Sequence, residues 1–167
     1  MISDLISKLQ KKTDLSYDEI NEITTDMLSG KTTDIENVDF LSKLAQKGET
    51  DDELLGMLDK MQEFSLKVDV KNSGTVIDMC GTGGDSLQTF NVSTTASFVV
   101  AAAGGIVAKH GNRSSSGVSG SADIFEYFGY DLSLKPAQIS EILEKHNICF
   151  MFAKKFHPAM RYVSAPR

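Results

Sequence analysis

Long apolar runs are missing from this sequence. The longest, from Phe98 to Val107, is broken by Gly104 and Gly105 and falls short of the roughly 18 residues that span a bilayer. The amino-terminal MISDLISKLQKK places its positive charge after its apolar residues and has no cleavage-like site, so no secretory leader and no membrane span are expected. Cysteine is scarce. Cys80 and Cys149 lie far apart, in neither metal nor redox spacing, which favours two buried thiols in a reducing cytoplasm over a disulfide framework. Net positive charge is also lacking: 17 Lys and Arg stand against 23 Asp and Glu, a balance of −6. Residues 1–70 hold 8 Lys and 16 acids, and residues 71–167 hold 9 basic and 7 acidic side chains. The acidic front argues against a nucleic-acid partner. The mildly basic rear suits a small anionic ligand.

What is present reads as a folded chain in two parts. The hydrophobic fraction is 41% and the charged fraction 24%, ordinary for a packed protein. The 167 residues suit one large or two small domains. Residues 1–70 predict four short helices. SDLISKLQKK repeats apolar residues at the 3–4 spacing of one helical face. Ser16 with Glu19 forms a capping box, and Gly30 ends that helix. Thr33 and Thr50 cap the next two. After DVKNSG the rhythm changes. TVIDM, GIVAKH and ICFMFA read as strands, and helices are expected from about Ser93 to Ala103, over SADIFEYFG and over KPAQISEILEKHN. A last short helix is expected over FHPAMRYV. Strand, loop and helix alternating in this way predict a parallel sheet with helical crossovers. The fold class is therefore α/β: a small helical domain over 1–70, then an incomplete parallel-sheet domain over 71–167.

Two polar loops leave predicted strand ends, where ligands of open parallel sheets sit. The first, CGTGGDSLQTFNVST, matches no standard phosphate loop. Its Gly81, Gly83 and Gly84 can still form an anion-holding nest. The helix near Ser93 would aim free amides at the same place, and Ser93, Thr94 and Thr95 add hydroxyls. Asp85 inside such a loop implies a cation or a ribose hydroxyl between it and a phosphate, or else a turn-stabilising role. The second loop, KHGNRSSSG, supplies cations: Lys109 as a mobile point charge and Arg113 as a forked donor. Asn112 can both donate and accept, as ribose hydroxyls require. A sugar carrying several phosphates would use all of these groups. His110, His146 and His157 stand in no triad-like setting.

GTGGDSLQTFNVST, KHGNRSSSGVSGSADIFEYFG and FHPAMRYV together closely resemble the anthranilate phosphoribosyltransferase family. The resemblance runs from the helical front to the last residue. It implies a fold of the nucleoside phosphorylase and phosphoribosyltransferase type, with a homodimer through the helical part. It implies attack of the anthranilate amine on C1 of 5-phosphoribosyl 1-diphosphate, with Mg²⁺ required. On the family pattern, phosphoribosyl diphosphate meets Gly81, Gly84, Asp85, Thr89 and the run Asn91, Val92, Ser93 and Thr94. It also meets the loop of Lys109, His110, Gly111, Asn112, Arg113, Ser114, Ser115, Ser116 and Gly117, and Ser121 beyond it. Ser93 is the expected Mg²⁺ ligand, and Gly81, Asn112 and Arg167 the expected contacts of anthranilate. No side-chain nucleophile or general base is implied.

The family's acidic Asp-Glu pair for Mg²⁺ has no counterpart after position 121, and the sequence corresponds to roughly half of a family member. The expectation is a chain with little activity alone. Two alternatives remain at this point: a non-catalytic module that binds a phosphorylated sugar or drives dimerisation, and a nucleoside phosphorylase.

Overall fold

The computed structural model describes residues 2–71, 74–81, 90–114 and 119–164. The chain divides into two compact units, Met1–Ser65 with His157–Arg167, and Leu66–Phe156.

The first unit contains α1 (Ile2–Gln10), α2 (Tyr17–Leu28), α3 (Asp34–Lys47) and α4 (Asp51–Glu63). Three of the four start where the sequence predicts. Ser16, Thr33 and Thr50 each accept the N–H of the residue three further on, and Glu19, Glu36 and Glu53 return the bond to the cap amide. Each box satisfies two amides that the first helical turn leaves without partners. The core is an apolar cluster of Leu5, Leu9, Leu15, Ile20, Ile23, Met27, Leu28, Phe40 and Leu44. Ala159 and Val163 complete it from a 3₁₀ helix at Pro158–Val163, where the sequence suggests an ordinary short helix. The polar centre of this unit is Glu53, fully buried. Its carboxylate accepts from Leu15 N–H at 2.8 Å, Thr50 N–H at 2.8 Å and Lys47 Nζ at 2.9 Å.

The second unit is a three-stranded parallel sheet in the order β1 (Val76–Ile77), β2 (Ile106–Gly111), β3 (Ile148–Phe152). Between β1 and β2 the chain forms α5 (Val92–Ala102). Between β2 and β3 it forms α6 (Ser121–Tyr127) and α7 (Pro136–His146). A single turn, α8 (Ala153–Phe156), follows β3, and its first residue, Ala153, is the one that the sequence assigns to the strand. Strand alternation sorts β2 onto two faces. Ile106 and Ala108 pack with Ile139 and Leu143 of α7, while Val107 and Lys109 are buried on the other side. Phe150 of β3 packs with Ala122 and Phe125 of α6. Among the described residues no helix is long and apolar enough to cross a membrane.

Candidate functional site

The carboxyl ends of β1 and β2 and the amino ends of α5 and α6 converge in the second unit. Parallel pairing sets Val76 against Ile106 and Ile77 against Val107, so the chain leaving β1 runs beside Lys109 and His110. Lys109 is 1% exposed. Its Nζ donates to Met79 O at 2.9 Å and to Ser93 Oγ at 3.5 Å. Among the described residues it forms no ion pair. Burial holds its ammonium below the ordinary lysine range, although the charges of Asp78 and Cys80 pull the other way. A buried cation without a counter-ion is unfavourable by itself, so an anion at this strand tip would be favoured.

Around that ammonium stand small polar groups. Asn91 caps α5, its Oδ1 accepting from Thr94 N–H at 3.2 Å and lying 3.3 Å from Ser93 Oγ. The amides of Val92 and Ser93 belong to the first helical turn, where the helix supplies no acceptor. Thr94 Oγ1 donates to Ser121 Oγ at 3.0 Å, which ties the start of α5 to the start of α6. At Gly81 an added Cβ would lie 3.9 Å from Ser93 Oγ, so the backbone runs close to that hydroxyl. At Gly111 an added Cβ would meet Ser121 Cβ at 3.0 Å and the Phe150 ring at 2.9 Å. Gly81, Asn91, Val92, Ser93, Thr94, Lys109, Gly111 and Ser121 are therefore gathered at one end of the sheet.

Arg113 is engaged elsewhere. Its Nη1 donates to Asp123 Oδ1 and Glu126 Oε2, both at 2.8 Å, and Nη2 to Glu126 Oε1 at 2.9 Å. Hydrogen bonds to Glu126 and then Asp123 raise its pKa further above the ordinary arginine value. An anion at this fork would have to share it with two carboxylates. Asn112 Oδ1 accepts Arg113 N–H at 2.9 Å, and Ser114 N–H donates to Asp123 Oδ2 at 3.3 Å. His110 is half-buried. Burial lowers its pKa, Lys109 adds to this and Asp78 opposes it. Gly84, Asp85, Thr89, Ser115, Ser116, Gly117 and Arg167 lie outside the described residues.

Three groups of this region have no place in the sequence reading. Asp78 accepts His110 N–H at 3.0 Å, and Met79 offers its carbonyl to Lys109. Asp123 closes the second loop by accepting from Gly120 N–H at 2.7 Å. The Asp123 position carries a usable signal, an acid three residues after a glycine that starts a helix. The roles of Asp78 and Met79 come from strand register, which spacing along the chain does not reveal. Cys80 is exposed, which corrects the expectation of two buried thiols: it lies past the end of β1, outside the sheet that covers Cys149.

Gly120 supports the second loop by its size. Its φ of −90° is open to any residue, but a Cβ there would come within 2.2 Å of Ser114 N, 2.5 Å of Arg113 C and 2.7 Å of Asn112 O. These are backbone atoms and cannot swing aside. Gly120→Ala is therefore expected to destabilise this unit by about 1–3 kcal/mol, read as a lower midpoint in urea unfolding. An unchanged midpoint would show that the loop carries no such constraint.

The model of "Glycosyl transferase family, helical bundle domain" matches residues 3–65, and that of "Glycosyl transferase family, a/b domain" matches residues 73–167. Anthranilate phosphoribosyltransferase of Nitrosopumilus maritimus is 81% identical over 167 residues, 100% of this chain and 48% of that protein. The same enzyme of Cenarchaeum symbiosum is 54% identical over 160 residues, 96% of this chain and 46% of that protein. The chain thus spans about half the length of the curated relatives it matches. Among solved structures, anthranilate phosphoribosyltransferase from Thermus thermophilus superposes with a TM-score of 0.87 at 36% identity, over 98% of this chain and 50% of that one. The Saccharomyces cerevisiae enzyme, solved in complex with PRPP and Mg, gives 0.87 at 24% identity over 99% of this chain and 50% of that one, a likeness of fold.

Proposed function

Because the chain belongs to the glycosyl transferase family, carrying its helical bundle domain and its a/b domain, we propose that its strand-tip site binds 5-phosphoribosyl 1-diphosphate and serves phosphoribosyl transfer to anthranilate. The single observation that carries this reading is Lys109, an ammonium buried without an ion-pair partner among the described residues, 3.5 Å from Ser93 Oγ. Diphosphate oxygens would supply a counter-charge. The first-turn amides of α5 and the hydroxyl of Ser93 would donate to the same oxygens. Gly81 leaves room for the ribose to approach the backbone.

In the proposed reaction the anthranilate nitrogen forms a bond to C1 of the ribose as the bond from C1 to the diphosphate oxygen breaks. The nitrogen then loses a proton to solvent. Positive charge grows on the ribose and negative charge on the leaving group. Lys109 stands where the leaving charge accumulates, so its attraction is stronger in the transition state than in the ground state. Arg167 is the proposed partner of the anthranilate carboxylate.

Mg²⁺ suits the hard-oxygen character of this place. Such ions take one or two protein oxygens and complete their shell with water and substrate phosphates, and Ser93 Oγ lies 3.3 Å from Asn91 Oδ1. Ser93 is the residue we assign to it, and when bound the ion would neutralise diphosphate charge. Self-association through the helical unit is proposed on the exposure of Ile35 (82%) and Val38 (43%), both on α3.

Isothermal titration with phosphoribosyl diphosphate and Mg²⁺ tests the reading. One-to-one binding is expected, with no heat from a nucleoside and inorganic phosphate in its place. Absence of binding at millimolar ligand contradicts the proposal.

A further inference from the structure

Alternation along β2 turns His110 away from the face that holds Lys109. On its side of the sheet stand two groups that the phosphoribosyl site leaves unused. The ligand atoms of Asp78, Cys80 and His110 all lie within 4.8 Å of one another. Register brings this about. Parallel pairing of β1 and β2 runs at a constant offset of 30 residues, as Val76 with Ile106 and Ile77 with Val107 show. The chain leaving β1 then passes beside β2, and Asp78 accepts His110 N–H at 3.0 Å.

We propose that Asp78, Cys80 and His110 form a binding site for a thiophilic divalent cation, Zn²⁺, with one coordination position left open. A carboxylate oxygen, a thiolate sulfur and an imidazole nitrogen are the three donor types of protein zinc sites. Two ligands on one tetrahedral zinc sit about 3.5 Å apart, given bonds of about 2.0–2.3 Å, so small side-chain rotations close the observed spacing. The bond from His110 N–H already fixes the Asp78 carboxylate, the kind of support that orients metal ligands. Asp78 and Cys80 are exposed and His110 is half-buried, so an ion can enter from solvent. Sulfur and nitrogen donors select against Mg²⁺, which prefers oxygen. This site is therefore chemically distinct from the Ser93 place, and it stands whether or not the transferase reading does.

The test uses the 167-residue chain freed of metal. Titration with Zn²⁺ is expected to show one site per chain, undisturbed by a large excess of Mg²⁺. Co²⁺ in its place is expected to give the near-ultraviolet charge-transfer band of a cobalt thiolate. Cys80→Ser should abolish that band and weaken Zn²⁺ binding by more than about tenfold, since even losing a group that only orients a metal ligand costs about 10–100-fold. Asp78→Asn, which keeps an acceptor for His110 N–H, should weaken it as well. With no substitution at all, Zn²⁺ should slow alkylation of Cys80 by iodoacetamide. Zn²⁺ affinity unchanged in Cys80→Ser, or alkylation of Cys80 unaffected by Zn²⁺, would overturn the assignment.

Discussion

Lys109→Met is expected to weaken binding of phosphoribosyl diphosphate by about 10–150-fold while leaving the fold as stable as before or more so. The binding loss follows from a charged hydrogen bond worth about 1.5–3 kcal/mol, at about 1.4 kcal/mol per factor of ten. The stability gain follows from the opposite side of the same fact. Lys109 is 1% exposed with only Met79 O and Ser93 Oγ as hydrogen-bond partners among the described residues, so its desolvated charge works against folding. Methionine keeps the unbranched shape and removes that charge. Affinity in calorimetric titration therefore falls for this variant while its urea midpoint stays level or rises. A variant that binds as tightly as the parent would show that the ammonium does not face the ligand.

Glu53→Ala is expected to cost about 3–5 kcal/mol of stability, because it breaks a buried pair and leaves its partners unsatisfied. Lys47, only 3% exposed at its side chain, loses one of its two carboxylates and keeps Asp14 at 2.8 Å. The amides of Leu15 and Thr50 lose their acceptor. The second loss unties the start of α4 from the turn before α2, so the damage spreads beyond one helix end. Acid should act in the same way. Burial alone would raise the Glu53 pKa, but hydrogen bonds from Leu15 N–H, Lys47 and Thr50 N–H outweigh it and hold the carboxyl below its ordinary value of 4.5. A depressed folded pKa stabilises the fold fully above that ordinary value, and the contribution is lost as pH falls through the lower folded one. Urea midpoints measured from neutral pH down into the acid range below that value should fall less steeply for Glu53→Ala than for the parent. Parallel curves would remove Glu53 from the acid response.

Much of the architecture was legible in the chain because its signals are local. Ser16, Thr33 and Thr50 announce their helices as caps; Ser16 forms the box its spacing with Glu19 predicts, and Thr33 and Thr50 form boxes as well. The three strands and the order of helices between them follow from β-branched runs separated by polar loops. Less legible were features set by register and packing. β1 holds only Val76 and Ile77, because just two residues find ladder partners on β2. The Pro158–Val163 segment tightens into a 3₁₀ helix, a geometry that the same apolar spacing does not distinguish. At the site, Lys109, Ser93 and Thr94 were marked by residue type and position after strands. The clamp of Asp123 and Glu126 on Arg113 joins residues 10 and 13 apart across a loop whose path the sequence does not specify. Asp78 and Cys80 gain their meaning only from the passage of the chain beside His110 after it leaves β1.

The central claim is that groups at the tips of β1 and β2 enclose a diphosphate-bearing ribose, and backbone amide shift mapping during titration with phosphoribosyl diphosphate and Mg²⁺ tests it most directly. The account predicts saturable shifts concentrated at Gly81, Val92–Thr94, Lys109–Gly111 and Ser121, with α1 to α4 little changed. Shifts confined to the helical unit, or none at saturating ligand, would contradict it.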